Sequence, residues 1–221
     1  MNKHIILYSH GFGVRKDDRG LFTDIANSFT DVDNILFNYN IYDVNQNSLR
    51  VSSFTQQSKI LAKILKDIIN KYPDALIDLI CHSQGCIVPA ILKPKFIRKT
   101  IFLAPPANFL GTEAKLGQMR SRDGTVIKDG VTYYPRRDGS TTIIPADYWK
   151  SREDIVPITL YNDFSKSTHL TIINAEYDEV LGNTDFSKLN KDIDVLELSA
   201  NHDFTGDNRQ ILINTVKGLI N

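Results

Sequence analysis

The sequence predicts an α/β fold, a mostly parallel sheet of about six strands with helices on both faces, carrying one lid-like insertion. Three observations predict it. Short apolar runs alternate with segments of helical apolar spacing; the runs are apolar enough to be strands buried on both faces; and between residues 105 and 165 the alternation gives way to turn dipeptides. The chain thus divides into a core, residues 1–104 and 166–221, and an inserted segment, residues 105–165.

The elements follow in order. His4–Ser9 (HIILYS) is an apolar run ended by His-Gly, which suits a first strand. Phe22, Ile25, Ala26 and Phe29 then mark a helix within Asp17–Phe29, and Asn34–Tyr39 reads as the second strand, completing a β-α-β unit. From Ser53 onward, Ile60, Leu61, Ile64, Leu65, Ile68 and Ile69 form one apolar stripe, with Ser53 and Gln56 as a capping box and Pro73 beyond the end. Ala75–Cys81, Lys99–Ala104, Leu170–Ala175 and Ile193–Leu198 are further strands, with helices at Gln84–Leu92 and Asn208–Ile220. In the insertion, Asp123-Gly124, Asp129-Gly130 and Asp138-Gly139 punctuate short β-prone pieces, Val131–Tyr134 and Thr141–Ile144. The same segment holds Tyr148 beside Trp149, and Arg120, Arg122, Arg136 and Arg137.

Composition narrows the function classes. With 221 residues, 42% of them hydrophobic, the chain can bury one sizeable core. Its 26 basic and 26 acidic residues balance, so no global field favours nucleic acid or an anionic membrane. No apolar run approaches the roughly 20 residues of a membrane span, and the N-terminus enters a strand without a signal-peptide pattern, which points to the cytoplasm. Cys81 and Cys86 flank a strand-to-turn junction, a poor place for a disulfide, and are expected to be free packing thiols.

The chemistry centres on Cys81-His82-Ser83-Gln84-Gly85, where a strand passes directly into a helix. A serine there occupies a strained turn that lifts its hydroxyl above the sheet, beside the free N–H groups of a helix start. The segment resembles the nucleophile elbow of the α/β-hydrolase superfamily, with Cys81 in place of the usual first glycine. His10-Gly11-Phe12-Gly13, after the first strand, resembles that family's oxyanion segment. The resemblance implies that the Phe12 and Gln84 N–H groups hold an oxyanion; His10 itself reads as a loop brace. Asp178 leaves the strand Leu170–Ala175 and His202 follows the next strand, so the chain order Ser, Asp, His is also that of the family. Glu176 and Asp203 are rival acids, although Asp203 adjoins the histidine and Glu176 points elsewhere from the same loop.

The resemblance covers residues 4–104 and 170–221 and implies the α/β-hydrolase fold lacking its first two strands. It further implies a serine hydrolase cleaving a small-molecule carboxylic ester, with Ser83 as nucleophile, His202 as base and Asp178 as the orienting acid. An amidase, lactonase, thioesterase or acyltransferase on the same residues, or a non-catalytic binding module, are the alternatives. His82, Tyr148 and Trp149 are expected at the substrate pocket. No metal or cofactor is expected: Cys81, His82 and Cys86 diverge around the turn, and His10-Gly11-Phe12-Gly13 lacks the spacing and lysine of a phosphate loop.

Overall fold

The computed structural model describes residues 3–221. Strand β1 (His4–Ser9), helix α1 (Leu21–Asn27) and β2 (Asp33–Leu36) form the first unit. The short strands β3 (Ile41–Asp43) and β4 (Ser48–Arg50) lead into α2 (Phe54–Lys71), then β5 (Leu76–His82), α3 (Ile87–Leu92) and β6 (Ile97–Leu103). Next come α4 (Thr112–Arg120), β7 (Val126–Lys128), β8 (Val131–Pro135), β9 (Thr141–Ile144), α5 (Ala146–Arg152) and α6 (Pro157–Phe164). The chain closes with β10 (His169–Ala175), β11 (Asp194–Leu198) and α7 (Asp207–Ile220).

The main sheet has six strands in the order β11-β10-β6-β5-β1-β2, all paired in parallel. Its four inner strands, β10, β6, β5 and β1, are largely buried on both faces, as their continuous apolar runs require, while of the edge strands β2 is partly buried and β11 largely exposed. Ile5 and Leu7 of β1 point into the layer that includes α2, α3 and α6, whereas Ile6 and Tyr8 point into the layer of α1 and α7. The chain runs from β1 outward to β2 and returns on the other side of β1 to β5. The loops after β1 and β5 therefore diverge, and the crevice they leave is where ligands gather in open parallel sheets.

Helix α2 carries the predicted capping box: Gln56 N–H donates to Ser53 Oγ and the Gln56 side chain accepts from Ser53 N–H. Two boundaries differ from the sequence expectation for physical reasons. Helix α1 starts at Leu21 rather than Asp17 because Asp18, Arg19 and Gly20 adopt φ of 45°, 58° and 91°, which no right-handed helix allows. Strand β2 stops at Leu36 rather than Tyr39, since Tyr39 turns inward to donate its N–H to His10 Nε2 and pair its hydroxyl with Ser9 Oγ.

A second, five-stranded sheet runs β3-β4-β9-β8-β7. Asp129-Gly130, at φ 51° and 74°, closes the tight β7–β8 hairpin that its Asp-Gly signal forecast. This sheet draws β3 and β4 from outside residues 105–165, while α6 packs on α3 with Phe164 stacked on Phe102 of the main core. Among the described residues, no helix is long and apolar enough to cross a membrane.

Candidate active site

Strand β5 ends at His82, and Ser83 opens a 3₁₀ turn, Ser83–Cys86, with φ at 52°. A non-glycine residue held in the left-handed region costs of order 1–3 kcal/mol, a strain characteristic of functional turns. Gly85 permits the turn: a Cβ there would lie 2.1 Å from the Ser9 carbonyl oxygen and 2.5 Å from that of His10. Ser9 Oγ also donates to the Gly85 carbonyl at 2.7 Å. Gly85→Ala is therefore expected to cost about 3 kcal/mol or more, because only backbone movement relieves the clash. Urea denaturation checks this, and an unchanged midpoint would mean that β1 and the turn can separate freely. On the other side of Ser83, Cys81 is fully buried and fills the first small position; burial pushes its thiol, and that of Cys86, above the ordinary range. Both cysteines are free.

The loops after β10 and β11 bring Asp178 and His202 to Ser83. Ser83 Oγ lies 3.0 Å from His202 Nε2, and His202 Nδ1 lies 2.6 Å from Asp178 Oδ2. Asp178 Oδ1 accepts from the N–H groups of Val180 at 2.9 Å and Leu181 at 2.7 Å. Burial works to raise the Asp178 carboxyl, but its bond to His202 and these N–H groups outweigh that and hold it below the usual carboxylate range. An ionised Asp178 accepts Nδ1–H, which leaves Nε2 free to accept the Ser83 proton. The rival acids are engaged elsewhere: Glu176 accepts from Ser199 Oγ at 2.6 Å, and Asp203 pairs with Arg19 at 2.6 Å.

A second Asp–His pair lies behind this relay. His82 is buried, with Nδ1 at 2.7 Å from Asp18 Oδ2 and Nε2 at 3.0 Å from the His202 carbonyl oxygen. Both partners are acceptors, so both ring nitrogens donate at once only when the ring is an imidazolium. Burial alone would lower the His82 pKa; the charge and hydrogen bond of Asp18 raise it, while Asp18 itself is held low against its own burial. The same Asp18 Oδ2 accepts the Gly11 N–H at 3.0 Å, whereas the buried Oδ1 has no partner among the described residues. One carboxylate oxygen thus ties the β1 exit loop, the residue before Ser83 and the backbone of His202 together. A Cβ on Gly11 would meet the Ser83 Cβ at 3.3 Å, which places the Gly11–Phe12 segment directly beside the serine.

His10 is buried and braces this loop: Nε2 accepts from Tyr39 N–H at 2.9 Å, so Nδ1 carries the proton and donates to the Gly11 carbonyl at 3.0 Å. Burial lowers its pKa, in keeping with the neutral ring. Of the residues expected at the pocket, His82 is committed to Asp18 and His202 beneath the serine. Tyr148 is buried against Phe12 and Phe54 and donates to Gln84 Oε1 at 2.6 Å. Trp149 is buried too, and its indole N–H reaches Thr132 in the small sheet at 3.2 Å. His82, His202 and Asp203 place donor atoms within 4.8 Å of one another, but all four ring nitrogens of the two histidines already have protein partners.

No family model and no curated protein sequence matches the chain. Solved structures do. Est1E from Butyrivibrio proteoclasticus with ferulic acid bound is similar at TM-score 0.71 and 16% identity, over 99% of this chain and 88% of that one. The esterase domain from a Rhodothermus marinus protein is similar at TM-score 0.64 and 13% identity, over 98% and 85%. An alpha-beta serine hydrolase homologue from Coxiella burnetii is similar at TM-score 0.57 and 13% identity, over 97% and 85%. The chain has the α/β-hydrolase fold.

In this α/β-hydrolase fold Ser83, Asp178 and His202, which chain order brought forward, sit on three strand exits and meet. Asp18 was not foreseen. It lies 64 residues from His82 in sequence, and the only local trace of its inward turn is Gly20 breaking the helical pattern just after it.

Proposed function

We propose that this chain is a serine hydrolase that cleaves carboxylic esters through an acyl-enzyme on Ser83. The observation that carries the reading is the continuous hydrogen-bonded line Ser83–His202–Asp178, starting from a serine with positive φ. In the first half-reaction Ser83 Oγ attacks the ester carbonyl carbon while His202 Nε2 accepts the hydroxyl proton, and Asp178 stabilises the resulting imidazolium. The Phe12 and Gln84 N–H groups receive the tetrahedral oxyanion; one such donor contributes about 3 kcal/mol to lowering the barrier. His202 then returns its proton to the departing alcohol. Water activated by the same imidazole releases the acid from Ser83.

Residues 105–165 serve as the cap of this site in the same reading. Tyr148 holds the Gln84 side chain and Arg136 donates to the Gly13 carbonyl, so the insertion is fastened to both segments that carry the oxyanion donors. A p-nitrophenyl ester series from acetate to palmitate, run alongside fluorophosphonate labelling, tests the proposal. Turnover and labelling are expected in the wild type and absent from Ser83→Ala. A folded wild type that neither turns over any ester nor labels would leave only a binding module of this fold.

A further inference from the structure

A cleft of about 740 Å³ opens beside the relay, and the chemistry above does not use it. Gly13 and Val14 of the β1 exit loop form part of its wall, and Glu179 and Val180, directly after Asp178, form another part. Five arginines line it, Arg15, Arg19, Arg122, Arg136 and Arg137, against three carboxylates, in a chain whose total formal charge is zero. They come from segments far apart in sequence: the β1 exit loop, the turn after α4, and the β8–β9 turn. Of the carboxylates, Asp138 accepts from Ser140 N–H and Oγ, and Glu179 accepts the His202 N–H at 3.1 Å. Of the arginines, only Arg19 forms an ion pair among the described residues.

Arg136 is the most constrained of the five. Half-buried, it donates to Thr142 Oγ1 at 2.9 Å and to the Gly13 carbonyl. Burial lowers its pKa most and the like charges of Arg19 and Arg122 lower it further, while Tyr134 and the Asp138 carboxylate pull the other way. Arg122 is set in place too: its guanidinium lies 4.8 Å over the Tyr134 ring and donates to that residue's hydroxyl at 2.8 Å. Arg15, Arg19 and Arg137 are exposed and Arg122 and Arg136 partly buried, and five guanidinium groups against three carboxylates leave the cleft with an excess of positive charge. A planar or tetrahedral oxyanion matches such a group through paired N–H donors.

We infer that this cleft receives an anionic group, a carboxylate or a phosphate, carried by the ester that Ser83 attacks. The inference rests on the serine hydrolase reading and names its substrate class. Arg136 bonds the residue next to Phe12, so an anion held by these arginines lies near the reacting carbonyl and orients it. The cationic cleft also draws anionic substrates in from solution, an effect that salt screens.

Two ester pairs matched except for charge test it. p-Nitrophenyl hemiglutarate against p-nitrophenyl valerate puts a carboxylate on the acyl side; 1-butyrylglycerol 3-phosphate against 1-butyrylglycerol puts a phosphate on the alcohol side. In at least one pair kcat/KM should favour the charged ester by about tenfold or more at low salt, and the preference should shrink several-fold by about 0.5 M salt. The pair that responds separates an acyl-side carboxylate from an alcohol-side phosphate. Arg136 also braces the Gly13 loop, so the informative variant is Arg122→Gln combined with Arg137→Gln, which should bring the ratio of charged to neutral rates toward one. Ser83-dependent hydrolysis with no charged preference in either pair would overturn the inference and leave the hydrolase reading standing. If no ester is turned over, that reading fails by itself and calorimetry decides. Binding of monomethyl glutarate or glycerol 3-phosphate, weakened about tenfold in the double variant, keeps the anion site; binding of neither removes it.

Discussion

Ser83→Ala is expected to lower kcat on an activated ester by about 10⁶-fold and Asp178→Asn by about 10⁴-fold, measured with p-nitrophenyl butyrate at neutral pH. The two magnitudes differ because the residues do different work. In the proposed mechanism, removing the hydroxyl removes the covalent path, so what remains is the stabilisation that the N–H groups assigned to the oxyanion, those of Phe12 and Gln84, would give to attack by water. Asparagine at 178 leaves the covalent path open but changes the proton inventory. Its amide N–H₂ could face His202 Nδ1, which would place the proton on Nε2, the atom that must accept from Ser83 Oγ at 3.0 Å. Alternatively its oxygen faces Nδ1, and the imidazolium formed during attack has lost its counter-charge. His202→Ala should match Ser83→Ala, and the double variant should be no worse than either, because the three side chains act as one unit. Asp178→Asn retaining activity within tenfold of wild type would remove that carboxylate from the relay. Glu176 and Asp203 would then return to contention despite their bonds to Ser199 and Arg19.

The fold and the meeting of Ser83, Asp178 and His202 were legible because both rest on local signals. A strand buried on both faces writes a continuous apolar run, and the chemistry of a parallel sheet gathers at strand exits, so Ser83, Asp178 and His202 could each be placed by the strand before it. The insertion was legible only at its turns. Asp129-Gly130 specifies a hairpin by backbone conformation alone, but α4 shows little segregation of apolar residues, burying just Leu116 and Met119. Helix α5 spans seven residues, too few to show a period, and the three-residue strands β3 and β4 are held chiefly by pairing within the second sheet. The least legible group is the one deepest in the site. The Asp18–His82 contact joins two loops whose approach exists only after the sheet has formed. Nothing in the spacing of Asp17-Asp18-Arg19-Gly20 announces which of the two aspartates turns inward.

That buried pair supports the largest stability effect expected outside the core. Asp18→Asn should destabilise the fold by about 3–5 kcal/mol, the range for removing one partner of a buried ion pair. Asparagine cannot take over, because one oxygen of Asp18 accepts from both Gly11 N–H and His82 Nδ1. If the amide nitrogen turns toward His82, Gly11 loses its acceptor. If the oxygen stays, either the imidazolium is left without a counter-ion or a ring protonated only on Nδ1 abandons the His202 carbonyl. Each outcome loosens a segment beside Ser83, so kcat should fall by about 10²-fold alongside stability.

The pH dependence distinguishes this account from simple packing. His82 has a raised folded-state pKa, so it contributes stability that is whole below its unfolded value near 6.5 and is lost as pH rises through the folded value. Asp18, held low, contributes stability that is whole above about pH 4 and is lost as pH falls through its folded value. The pair therefore acts in full between about pH 4 and 6.5. His10, with its lowered pKa, works in the opposite sense and loses stability as pH falls below about 6.5, so the comparison that isolates the pair is wild type against His82→Gln. In urea denaturation the gap between these two proteins should narrow as pH rises from about 6 to 9. Nitrogen-15 shifts of the wild-type ring at neutral pH should report His82 protonated on both nitrogens. A gap independent of pH, or a neutral ring, would mean that Asp18 and His82 meet as a neutral hydrogen-bonded pair and that the two loops around Ser83 are joined without charge.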